Sequence, residues 1–228
     1  MPKHPARPHP GPGWSPLDDH LWYTCEILAD VIQGTVGQRP LLATRAPLSA
    51  GDRALAVGLA NRYTWRALGN GSYNRSQVVA FGSPAFVVGS LLGNAMGNSS
   101  RRRQAARDAQ PRWVLDGGGE LTVTPRKAYF AHTNAWLDLN WSGLSSIDLV
   151  DPDLLEASFH NTAGGGQVTV RLQTLWASLI FVLAALDAFP GHPRLLSRGW
   201  LPPDFEQRCA ALGWPCQPVA RLAVGSQT

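Results

Sequence analysis

The strongest constraint on this chain is a run of short alternations between residues 112 and 172. RWVLD (112–116) reads as a strand and Gly117-Gly118-Gly119 as a turn. ELTVT (120–124) follows, with Leu121 and Val123 on one face. Pro125, Arg126 and Lys127 turn the chain into KAYFAH (127–132), and Thr133-Asn134 turn it again. AWLDLNW (135–141) sets Trp136, Asp138 and Asn140 opposite Leu137, Leu139 and Trp141. LSSIDLV (144–150), LLEASFH (154–160) and GQVTVRL (166–172) complete seven segments. A period of two gives each segment one buried face, and the tight turns predict an antiparallel meander folded into a barrel or sandwich. TLWASLIFVLAALDAF (174–189) then changes to helical spacing, with Leu175, Leu179, Val182, Leu183 and Leu186 toward the core. A helix of that length spans about 24 Å, too short for a bilayer. It reads as a buried or capping helix.

The rest of the chain is organised around this block. Residues 1–14 are rich in Pro, Gly and His and read as a disordered arm. Residues 15–37 hold an N-terminal helix. Ser15 is its cap, Pro16 its first residue, Asp18 and Asp19 lie in its first turn, and Gly34 and Gly37 end it. Residues 53–68 hold enough β-branched and aromatic residues for one or two strands. The preferred organisation is one domain over 38–190, with a helical insertion at about 82–109. A split near 111 is the alternative. Residues 191–228 form a proline-rich extension with a short helix at 203–213, packed with the N-terminal helix outside the domain. The N-terminus lacks the apolar region of a secretory signal, so the expected compartment is cytoplasmic.

Charge is segregated. Residues 39–112 carry eleven arginines against Asp52 and Asp108, whereas residues 113–228 carry seven basic and ten acidic groups. A preference for Arg over Lys follows from GC-rich coding, but segregation by sign does not. Arg101, Arg102, Arg103, Arg107 and Arg112 form the densest part, suited to an anionic lipid surface or an acidic protein partner. Immediately before them, Gly89, Gly93 and Gly97 recur every four residues and share one face of the expected helix. A smooth glycine face suits close packing, including self-assembly into a homo-oligomer.

Most chemistry is excluded on motif grounds. Neither glycine triplet is followed by Gly-Lys-Ser/Thr or lies between a strand and a helix. There is no Gly-x-Ser-x-Gly elbow. Asp148, Asp151, Asp153 and Glu156 read as a solvated acidic edge, and His132 and His160 as strand-end histidines. Cys25 reads as a small buried hydrophobe, and Cys209 and Cys216 are spaced to bridge a short loop but would stay reduced in the cytosol. No catalytic residue, metal ligand or cofactor is expected. Tyr129, Trp136 and Trp141 stand among acidic neighbours, which argues against a nucleic-acid surface.

The segment from Gly118 to His160 resembles the opening of bacterial pleckstrin-homology-like (PH-like) and GRAM-like domains. Their hairpin pattern matches at Gly119, Leu121, Val123, Thr124, Arg126, Lys127 and Phe130, and their later pattern at Trp141, Ile147 and Val150. Pro125 departs from the hairpin pattern. The resemblance covers about 112–189, and the whole chain also resembles proteins of actinobacteria. It implies a PH-like antiparallel β-barrel capped by its C-terminal helix. It also implies a basic loop, here Arg126 and Lys127, able to meet a phosphorylated lipid headgroup. The functional expectation is a non-enzymatic module docking onto a protein partner or an anionic membrane surface, peripherally at the inner face in the latter case. The alternatives are an assembly subunit using the glycine face and an enzyme with an unrecognised site.

Overall fold

Alternation of apolar and polar residues places the strands. The computed structural model describes residues 13–69, 100–132, 135–160 and 166–217. Seven strands lie in a single curled antiparallel sheet, a half-barrel. They are β1 (Ala56–Arg66), β2 (Arg112–Val123), β3 (Lys127–His132), β4 (Ala135–Asn140), β5 (Leu144–Asp151), β6 (Leu154–His160) and β7 (Gln167–Gln173), in the order β4-β3-β2-β1-β7-β6-β5. Inward positions pair across the ladder: Leu121 with Phe130, Phe130 with Leu137, Leu149 with Leu155, and Leu155 with Leu172. Register shifts at both ends of the β5–β6 ladder bend that hairpin.

The count of seven strands conceals one correction. Gly117-Gly118-Gly119 is not a turn. β2 runs straight through it, so two expected strands are one, and β1 supplies the seventh. The glycines are there because neighbours come too close for a side chain. A Cβ on Gly119 would overlap the backbone carbonyl of Ala131, and one on Gly117 would overlap the His132 imidazole. Gly117 also has a φ of 151°, where L-residues are strained. The true hairpin turn is Pro125-Arg126, closed by Thr124 N–H donating to the Lys127 carbonyl at 2.9 Å. Trp141, fully buried, leaves β4 for a short 3-10 turn, and its indole N–H donates to the Pro125 carbonyl at 2.9 Å.

Five helices are described. The first, α1 (Pro16–Gln33), has the expected Ser15 cap, extended to a reciprocal capping box with Asp18, and ends on Gly34 at a φ of 71°. Residues 100–108 are helical and are called α2. Then come α3 (Ala177–Ala188), α4 (Pro193–Leu196) and α5 (Phe205–Ala211). Thr174 starts α3: its hydroxyl donates to the Leu59 carbonyl and accepts from the Trp176 N–H. Until its last turn α3 has no solvated side, since every residue from Ala177 to Ala185 is buried. It packs on β5, β6 and the Trp141 turn, and also against α1 and α4. The N-terminal helix and the tail are therefore not outside the domain. Leu21, Cys25 and Leu28 from α1, and Trp200, Phe205 and Cys209 from the tail, belong to the same core as the sheet.

The chain divides into two compact units, Met1–Tyr63 with Asp116–Thr228, and Thr64–Leu115. No helix among the described residues is long and apolar enough to cross a membrane. Gly89, Gly93 and Gly97, the Thr133-Asn134 turn, and residues 1–12 of the arm expected at 1–14 lie outside the described residues, whereas Trp14, at the end of that arm, is packed against Phe205 and Trp214.

Candidate functional site

Within the unit 64–115, α2 organises the charge. Its last turn is anchored through Asp108: the Leu68 and Gly69 N–H groups donate to the Asp108 carbonyl at 2.8 and 2.9 Å. The Asp108 carboxylate accepts from the Gln104 amide at 3.0 Å and pairs with Arg112 at 3.3 Å. Arg112 also donates to the Arg107 carbonyl at 3.0 Å, closing the helix end where the dipole favours a cation. Arg112 is thus already engaged.

At 3.6 residues per turn, Arg102, Arg103 and Arg107 fall within an arc of about 140°, on the side away from Gln104 and Asp108. All three are exposed, and they make no ion pair among the described residues. Arg101 is exposed as well but has an interaction partner. The same unit presents apolar groups. Trp65 is 52% exposed and meets Trp113 edge to face at 5.4 Å, while Leu68 and Leu115 are also exposed. The composition of 53–68 points to strands but not to these exposed groups. The signal was the odd-numbered face of β1, where Leu59 and Trp65 are both apolar and exposed.

The second basic pair, in the β2–β3 hairpin, is differently placed. The Lys127 ammonium lies 3.1 Å from the Asp138 carboxylate and 4.5 Å from the centre of the Tyr129 ring, with a side chain only 16% exposed. The Tyr129 contact, then Asp138, raises its pKa above the ordinary lysine value. Arg126 is 67% exposed and pairs with the buried Asp52 carboxylate at 3.3 Å. Both cations have carboxylate partners within their own unit, and Lys127 has little surface left for an incoming phosphate.

Two carboxylates of the acidic edge are partnered too. Asp148 accepts from Arg194 at 2.7 Å, and Glu156 from Arg171 at 2.9 Å. His132 packs over Gly117. A surface cleft of about 370 Å³ is lined by residues 197–207 and contains the Arg198–Glu206 pair at 3.1 Å. Among the described residues, no group of three or more His, Cys, Asp or Glu is arranged to hold a metal ion. No family model, curated protein or solved structure matches this chain.

Proposed function

We propose that this chain is a non-enzymatic PH-like module that docks peripherally onto an anionic membrane surface through residues 64–115. The observation that carries this reading is the exposed arc of Arg102, Arg103 and Arg107, free of ion pairs among the described residues. The exposed Trp65, Leu68 and Leu115 add an apolar component in the same unit. Interfacial binding scales with buried apolar area plus attraction to anionic lipid, so the combination is apt. Seven antiparallel strands followed by a helix support the PH-like part of the proposal. Each basic residue near an anionic leaflet contributes about 1 kcal/mol, so three contribute about 3 kcal/mol, on the order of 100-fold in affinity.

Co-sedimentation with vesicles of phosphatidylserine and phosphatidylcholine tests the proposal. Binding should fall about 100-fold or more in the combined Arg102→Glu, Arg103→Glu, Arg107→Glu variant. It should weaken with salt as the Debye length shortens. Trp65→Ala should lower affinity by a factor that salt leaves unchanged. Equal binding to neutral vesicles, or none at low salt, refutes the reading.

A further inference from the structure

All three cysteines of the chain, from three separate segments, meet in one place. Cys25 lies in the middle of α1, Cys209 in α5, and Cys216 in the segment that follows. Several contacts hold these segments together. Asp18 and Arg208 pair at 2.8 Å. Trp14 stacks on Phe205 at 6.1 Å and meets Trp214 edge to face at 5.4 Å. The Trp214 N–H donates to the Cys209 carbonyl at 2.8 Å. The Gln217 N–H donates to the Glu26 carboxylate at 3.2 Å. The last contact sets Cys216 and its successor alongside Cys25 and its successor. The Cys216 thiol lies against those of both Cys25 and Cys209.

The three are not equivalent. Cys25 and Cys209 are fully buried, whereas Cys216 keeps 8% of its surface exposed. The neighbouring Cys25 thiol, and then Cys209, lower the Cys216 thiol to about 7 against the opposing effect of burial. The Cys25 thiol is pushed up by its contact with Cys216 and by burial, and Cys209 is raised to about 12, chiefly by burial. Glu206 opposes ionisation of Cys216, and Arg208 and Asp18 act in opposite senses on Cys209. A thiolate at the least buried of the three positions, beside a protonated thiol, is the arrangement that thiol–disulfide exchange requires.

We propose that Cys216 and Cys25 form a disulfide in the presence of a low-molecular-weight disulfide oxidant, locking the N-terminal helix to the segment after α5. The Cys216 thiolate attacks one sulfur of the oxidant, whose S–S bond breaks and releases one thiolate. Cys25 gives up its proton to that thiolate, and its sulfur then attacks the mixed disulfide at Cys216, expelling the second oxidant thiolate, which takes a proton from solvent. Two protein thiols are oxidised, and the oxidant is reduced to two thiols. Cys209 stays reduced.

The test treats the full chain with oxidised glutathione, alkylates the remaining thiols, and reads intact mass and a non-reducing peptide map. The expected product has lost two hydrogens, carries one alkyl group on Cys209, and yields a peptide joining Cys25 to Cys216. Its thermal midpoint should rise by roughly 5–15 °C, reversed by reductant, as expected for a crosslink closing a long loop. Cys209→Ala should leave the bridge intact, and Cys216→Ala should abolish it. A stable glutathione adduct with no internal bridge overturns the proposal. So does a Cys209–Cys216 bridge, or a folded protein in which all three thiols are still alkylated.

Discussion

The path of β2 through Gly117, Gly118 and Gly119 gives a sharp prediction, because a turn and a continuous strand rank the three alanine variants differently. In a strand the cost follows the neighbours. Gly119→Ala drives a methyl into the Ala131 carbonyl, a backbone group that cannot rotate away. Overpacking of this kind costs about 3 kcal/mol, because the whole β2–β3 ladder must shift. Gly117→Ala meets only the His132 side chain but must hold a φ of 151°, so about 1–2 kcal/mol is expected. Gly118→Ala approaches the Asn61 amide oxygen at 3.0 Å, and Asn61 is an exposed side chain that can move. Its cost should stay below about 1 kcal/mol. In a solvated turn only the backbone angle matters. Gly119 does not have a positive φ, so its substitution would then be harmless. Urea unfolding followed by tryptophan fluorescence separates the two, with the slope unchanged across variants. A Gly119→Ala protein as stable as the parent, or a Gly118→Ala protein as the least stable, refutes the reasoning.

Two further predictions concern single buried contacts. The Asp18 carboxylate accepts from the Ser15 N–H at 2.8 Å, the Ser15 hydroxyl at 2.7 Å and Arg208 at 2.8 Å. Burial alone raises its pKa, but these bonds outweigh it and hold the carboxyl below its ordinary value. A depressed folded pKa gives stability that is present above the unfolded value, about 3.9, and lost as pH falls through the folded one. Asp18→Asn should therefore cost about 2 kcal/mol at pH 7, and the gap to the parent should narrow only below about pH 4 in denaturation curves. Trp141→Phe should cost about 2–3 kcal/mol, from the lost bond to the Pro125 carbonyl and the space left beside it, measured by thermal unfolding.

What the sequence discloses depends on how local the cause is. The boundaries of α1 are legible because a cap, a first-turn proline and a terminal glycine all act within one turn. Strands β4, β5 and β7 are legible because their apolar residues alternate, and Leu137, Leu139 and Trp141 turn inward as their spacing requires, whereas β3 and β6 are legible as short apolar-rich runs between turns. The glycine triplet misleads because glycine marks both a turn and a close approach, and what decides is Ala131 and His132 on the next strand. The burial of α1 and the tail was hidden for the same reason, since it depends on contacts between segments distant in the sequence. Nothing in the spacing of Cys25, Cys209 and Cys216 announces their meeting. For the proposed docking surface, the charge was legible, but the exposure of Trp65 and Leu115 depends on which strand face is solvated.

The all-round burial of α3 links these points. A helix that only stoppers a half-barrel would keep a polar stripe at 3.6-residue spacing on its solvent side. From Ala177 to Ala185 no such stripe survives: Ser178 is the one polar side chain, and its single hydroxyl proton is shared between the Pro152 and Trp200 carbonyls, each at 3.4 Å. The sheet covers one side of α3, so the other needs an apolar cover. α1 packs there, and its Leu21, Cys25 and Leu28, spaced along one helical face, lie in the same core. α1 in turn is held by Asp18 to Arg208 and by Trp14 to Phe205, at the place where the cysteines gather. The closure of the core thus depends on the two ends of the chain. Among the described residues, the core draws nothing from 64–115. That division lets the proposed docking arginines be reversed in charge without opening the core, so a loss of vesicle binding can be read as a loss of docking and not of folding.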